Sequence, residues 1–284
     1  MQTLDLTDLP DDAIVPYVRI YSALYNLVSM NELDAEYGDR HIYLNQLRML
    51  EQKVWKKYAK STTIKEWASW LNVAYTLHQT TSTRYTSAQD DELWNTATAL
   101  IDNYLSSQVR INDDVIDEEE CFAIMQLIFT QWYGYVEEES EEVPEPIVFA
   151  RQQLTNWASE CSTDGTWKNL SEKSALRRIA LFQMNATMLL DDNFDETLDK
   201  AFQHYVLNGE SIENIEKETI KYNVIQQSNL SNPQYGELLD KIAKSLESQY
   251  ENITDSMLKL QVCSVLVDHQ TWRISESVQL SSFV

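Results

Sequence analysis

Glycine is scarce in this 284-residue chain: only Gly38, Gly134, Gly165, Gly209 and Gly236 occur, and no two are near each other. Phosphate-cradling loops need clustered glycines to bring the backbone close to the anion, so the P-loop and the dinucleotide-binding fingerprint are excluded. Proline is equally sparse. None lies between Pro16 and Pro144, so that half of the chain can run as long helices joined by short polar turns. Cys121, Cys161 and Cys263 are odd in number and widely spaced. With no CxxC or HxxC grouping they form neither a disulfide framework nor a zinc site, and they read as three reduced thiols in a cytoplasmic protein. His41, His78, His204 and His269 fit no metal-ligand spacing. The last three read as dipole partners near helix C-termini. GxSxG is absent too, and no hydrolytic machinery is visible.

Positive charge is the other shortage. Against 45 acidic residues stand 22 basic ones, a formal charge of -23, and such a field repels phosphate backbones and anionic membranes. Direct nucleic-acid or membrane binding is therefore not expected, whereas a basic protein partner is. The N-terminal "MQTLDLTDLPDD" has neither a basic nor an apolar signal region, and no apolar run is long enough to span a bilayer.

Apolar residues at 43% and aromatics at 11% exceed what a disordered acidic chain carries, so the protein folds. Helical periodicity runs through it. Tyr17, Tyr21, Leu24 and Val28 form one stripe, Leu44, Leu47, Val54 and Tyr58 a second, and Ile64, Trp67, Leu71, Ala74 and His78 a third. Thr63 and Glu66 have the spacing of a capping box for the third. Further stripes are Leu93, Ala97, Leu100, Ile101, Tyr104; Phe122, Met125, Phe129, Trp132; Leu176, Ile179, Ala180, Ala186, Leu190; Leu198, Phe202, Tyr205; and Leu238, Leu239, Ile242, Leu246. Asn232 and Pro233 fit an N-cap and first helical position. The expected fold is all-α, about ten or eleven helices in stacked antiparallel hairpins, either a solenoid-like array or a large bundle.

The compositional break is "VEEESEEVPEPIV" at 136–148, where like charges repel and prolines interrupt helix. It divides the chain into an N-terminal helical subdomain at 1–136, an acidic linker or loop at 137–146 and a C-terminal helical subdomain at 147–284, the alternative being one continuous domain. Asp164 and Gly165 mark a turn. Trp132, Tyr133 and Tyr135 cannot all face inward on one helix, so at least one is expected at the surface beside Glu137, Glu138, Glu139, Glu141 and Glu142. Aromatic anchors with an acidic rim suit a basic amphipathic partner. The adjacent Arg177 and Arg178 read as a solvated helix face paired with acids, or more sharply as a grip for an anionic peptide.

Two aspartate-rich runs carry a DDxxD spacing: Asp113, Asp114 and Asp117, and again Asp191, Asp192 and Asp195. They resemble the magnesium-binding motifs of isoprenoid diphosphate synthases and terpene synthases, and the resemblance implies carboxylates bridging Mg²⁺ to substrate phosphates. Yet "NDDVIDEEECF" lacks the arginine pair that those enzymes place after the first motif, and the glycine-rich, basic N-terminal features are missing. Family membership is rejected. Both runs read instead as helix starts, Asp117 with Glu120 and Asn193 with Glu196 acting as caps against the helix dipole.

The sequence thus leads to a non-catalytic interaction or scaffold protein without cofactor or metal, its site at Trp132, Tyr133, Tyr135 and the five glutamates. One alternative is an acidic inhibitor, immunity factor or nucleic-acid mimic occupying a basic site. The other is a magnesium-dependent diphosphate-binding enzyme using Asp191, Asp192 and Asp195.

Overall fold

A computed structural model describes residues 9–31, 40–81, 87–108, 117–132, 143–184, 193–207, 214–227 and 233–281. Among these the chain forms eleven α-helices. The first half holds α1 (Ile14–Asn31), α2 (Arg40–Tyr58), α3 (Ile64–Thr81), α4 (Ser87–Gln108) and α5 (Glu118–Gln131). The second half holds α6 (Glu145–Glu160), α7 (Glu172–Met184), α8 (Asn193–Phe202), α9 (Ile215–Gln227), α10 (Pro233–Gln249) and α11 (Ser256–Ser281). No strand occurs among the described residues, only an isolated bridge between Cys161 and Trp167. The fold is all-α.

Local chemistry starts the helices where the sequence requires it. Thr63 Oγ1 accepts from the Glu66 amide at 3.2 Å while Glu66 Oε2 accepts from the Thr63 amide at 3.3 Å, the reciprocal satisfaction of a capping box. Asp117 caps α5 by accepting from the Glu119 and Glu120 amides. Pro233 is the first residue of α10, where its missing N–H costs nothing. Pro146 does the same near the start of α6, with Pro144 at the cap. Glu145 and Pro146 are thus helical rather than linker, because proline's fixed φ suits a helix's first turn. Residues 133–142, with the rest of the acidic tract, lie outside the described residues.

The packing closes the chain on itself. Helix α1 lies against α2 and α3, and also against α11 at the opposite end of the sequence. Helix α5 contacts α3, α4, α6 and α7, and α9 contacts α7, α10 and α11. One continuous core results, running from Ile14 and Leu47 through Ile124 and Leu127 to Ile179, Ile225 and Leu246. Each such side chain taken fully from water contributes about 1.5–3 kcal/mol. No described helix is long and apolar enough to cross a membrane.

One turn fixes the second half's entry. After α6, Ser162 Oγ donates to the Thr166 carbonyl at 2.6 Å and the Asp164 carboxylate accepts from Thr166 Oγ1 at 2.7 Å, as the Asp-Gly pair predicts. Gly165 adopts φ +84°, and a Cβ there would run into the Lys200 carbonyl group on α8. Only glycine meets both demands.

Candidate functional site

Helices α4 and α5 bring Trp94 and Trp132 together. The rings meet edge to face at 5.3 Å and 63°, a favoured aromatic geometry. Gln131, itself buried, fixes the pair: its Nε2 donates to Thr98 Oγ1 at 2.7 Å and to the Trp94 carbonyl at 3.3 Å. Trp132 is half-buried and packs against the core, so it is the seat of the pair. Trp94 is the outward ring, 40% exposed. Position 94 stands one residue off the buried stripe at Leu93, Ala97 and Leu100, and that offset is the signal that could have found it. Tyr133, Tyr135, Glu137, Glu138, Glu139, Glu141 and Glu142 lie outside the described residues. In sequence they follow Trp132 directly.

The acidic start of α5 is engaged internally. Arg178 is buried, its guanidinium 5.0 Å from the centre of the Trp157 ring and 5.8 Å from that of Trp167. It donates to Glu160 at 2.7 Å and Glu118 at 3.1 Å. The solvated face expected for the arginine pair is therefore wrong for Arg178: the cation is buried against two indole rings, which a hydrated surface group would not be. Its pairing with acids does hold. Arg177, more open, donates to Glu119, whose other oxygen lies 3.1 Å from Lys65. These cations hold the Glu119 carboxyl below its usual range against the opposing effect of burial, the largest single influence on it.

Asp117 is thus a cap, as the sequence indicated, and Glu118 and Glu119 are ion-pair partners. Asp113, Asp114, Asp191 and Asp192 lie outside the described residues, as does the Asp195 side chain, although Asp195 itself sits in α8. Among the described residues no group of three or more His, Cys, Asp or Glu side chains is placed to hold a metal.

His269 does not lie at a helix end. It sits in the middle of α11, buried, because the helix continues well past it to Ser281. Its Nδ1 lies 3.2 Å from the Tyr222 hydroxyl and its Nε2 3.1 Å from Asp240 Oδ1, which also accepts from Arg273 Nε at 2.8 Å. Burial lowers the imidazole pKa. Glu247 favours the charged ring and Lys244 opposes it, and desolvation prevails. The neutral tautomer donates from Nε2 and accepts from Tyr222, and the network ties α9, α10 and α11 together.

Two adjoining cavities open between the halves of the chain. The first, about 270 Å³, has apolar walls from Phe122, Leu176, Ala180 and Val224 and a charged rim at Lys65, Glu119 and Arg177. The second, about 420 Å³, is bounded by Asp12 and Arg19 near α1, Lys173 on α7, Glu216 on α9 and Ser264 on α11. Arg177, Ile220 and Asn223 line both, making one trough. The sequence alone did not identify it, since its walls come from six helices far apart along the chain. The chain matches no family model, no curated protein and no solved structure.

Proposed function

We propose that the protein is a non-catalytic interaction protein that binds a basic, amphipathic segment of another protein at the Trp94–Trp132 pair and the acidic tract that follows it. The observation that carries this reading is the exposed Trp94 ring braced on Trp132, at the end of the helix that leads to Glu137, Glu138, Glu139, Glu141 and Glu142. An indole already held by its neighbour loses little freedom on binding, which is why tryptophan recurs as an interface anchor. The negative charge of the tract, and of the chain at -23, steers a cationic partner. In further support, the His269 imidazole is buried and internally paired, as expected of a scaffold rather than of a group that must exchange protons with a substrate.

Replacing the five glutamates with Gln is expected to weaken the partner at low salt and to flatten the salt dependence, because screened charges lose influence beyond about 10 Å at 0.1 M salt. Trp94→Ala is expected to weaken it at every salt concentration. Unchanged affinity in both variants rejects the site. The -23 charge favours a second reading, an acidic inhibitor or nucleic-acid mimic. In that case DNA displaces the protein from its partner, whereas a scaffold docked elsewhere on the partner is not displaced.

A further inference from the structure

We infer that the trough between α7 and α9 is a binding site for a small amphipathic carboxylate, its head group on Arg177 and its apolar body in the inner cavity. This site is separate from the Trp94 face and does not depend on it. Charge is the first argument. The chain as a whole carries 22 basic against 45 acidic residues, whereas the trough is lined by four cations, Arg19, Lys65, Lys173 and Arg177, against three acids, Asp12, Glu119 and Glu216. The local excess is a single positive charge, which fits a monoanion and would be overfilled by a dianionic phosphate.

Hydrogen bonding is the second. Arg177 commits one N–H to Glu119, leaving the rest of a five-donor fork whose geometry matches a carboxylate. Farther along the same trough Ser264 is 2% exposed and its hydroxyl has no hydrogen-bond partner. Ser22 and Ser29 on α1 share that state, but of the three only Ser264 lines the trough. A buried polar group left unpaired costs about 1–3 kcal/mol and marks a place where a ligand oxygen or a water carried with it improves the structure.

The walls supply the third. Phe122, Leu176, Ala180 and Val224 form apolar walls of the 270 Å³ cavity, and with the adjoining 420 Å³ space the trough lies within the roughly 300–1,000 Å³ typical of small-molecule sites. Apolar walls at Phe122, Leu176, Ala180 and Val224 beside charged groups at Lys65, Glu119 and Arg177 call for a ligand with an apolar body and a charged end.

The test is calorimetric titration of the full-length protein with sodium octanoate, and with octanamide as a neutral equivalent. Saturable one-to-one binding of octanoate is expected, with octanamide at least about tenfold weaker, the loss of one charge-assisted pair. Arg177→Gln is expected to lower octanoate affinity by a similar factor. Ala180→Phe, which fills the cavity without touching the charges, is expected to abolish binding, and it decides the matter should the Arg177 variant fail to fold. No saturable octanoate binding, equal binding of octanamide, or undiminished binding by Ala180→Phe overturns the assignment.

Discussion

Replacing Asp268 with Asn should stabilise the protein at neutral pH and do nothing in acid. Asp268 lies on α11 beside His269, and burial raises its carboxyl pKa from 3.8 to about 6 even though Arg19 pulls in the other direction. A carboxyl that is harder to ionise in the folded state than in the unfolded one opposes folding once the pH exceeds its unfolded pKa. Below 3.8 both states are protonated and there is no penalty. Between about 4 and 6 the unfolded chain releases its proton first, so stability falls as pH rises, and above 6 the penalty is complete. A rise from 3.8 to about 6, at about 1.4 kcal/mol for each tenfold change in acidity, makes that penalty about 3 kcal/mol. Asn keeps the shape and removes the charge. His269, whose pKa is lowered, has the opposite sign: it contributes stability above its unfolded pKa that is lost on acidification. Because it is present in both proteins, it largely cancels in their difference. Urea unfolding of wild type and Asp268→Asn across pH 4 to 8 should give a gap that opens to about 3 kcal/mol and closes again toward pH 4. A gap that is constant with pH, or a variant less stable at pH 8, refutes the reasoning.

Two further variants probe the packing of the second half. Arg178→Ala should destabilise by about 3 kcal/mol, the lower end for removing one member of a buried ion pair, because Glu118 and Glu160 are 38% and 56% exposed and can rehydrate. Arg178→Lys should recover little, since an ammonium lacks the fork with which the guanidinium reaches both Glu118 and Glu160; full recovery in chemical denaturation would deny the guanidinium its role. Gly165→Ala should cost about 2 kcal/mol or more from left-handed strain and collision with Lys200, and an unchanged melting temperature would contradict the tight apposition.

Periodicity made the helices with one apolar face legible, and caps fixed their starts. Helices α6, α9 and α11 are not among the expected stripes: α6 buries Ile147, Ala150, Leu154 and Trp157 at ordinary helical spacing, whereas α9 and α11 are hidden for a physical reason. Helix α11 contacts α1, α9 and α10, so it is half-buried on several sides and presents no clean stripe. The same multi-sided burial hides His269, whose partners Tyr222 and Asp240 come from two other helices. Arg178 looks hydrophilic in sequence because nothing local reveals Trp157 and Trp167 closing on it. Closure of α1 on α11, and with it the trough, is a long-range contact that no local pattern encodes. Trp94 is different. Its offset by one position from the α4 stripe at Leu93, Ala97 and Leu100 is legible in the sequence.

The central claim is that the Trp94 face and the acidic tract hold a basic partner. Its most direct test is a pull-down from native lysate with wild-type and Trp94→Ala baits side by side, washed at low and at high salt, with recovered proteins identified and quantified by mass spectrometry. A stoichiometric basic protein is expected on the wild-type bait at low salt, depleted at high salt and depleted on Trp94→Ala at both. Equal recovery on the two baits, or a partner with no excess of basic residues, would contradict it.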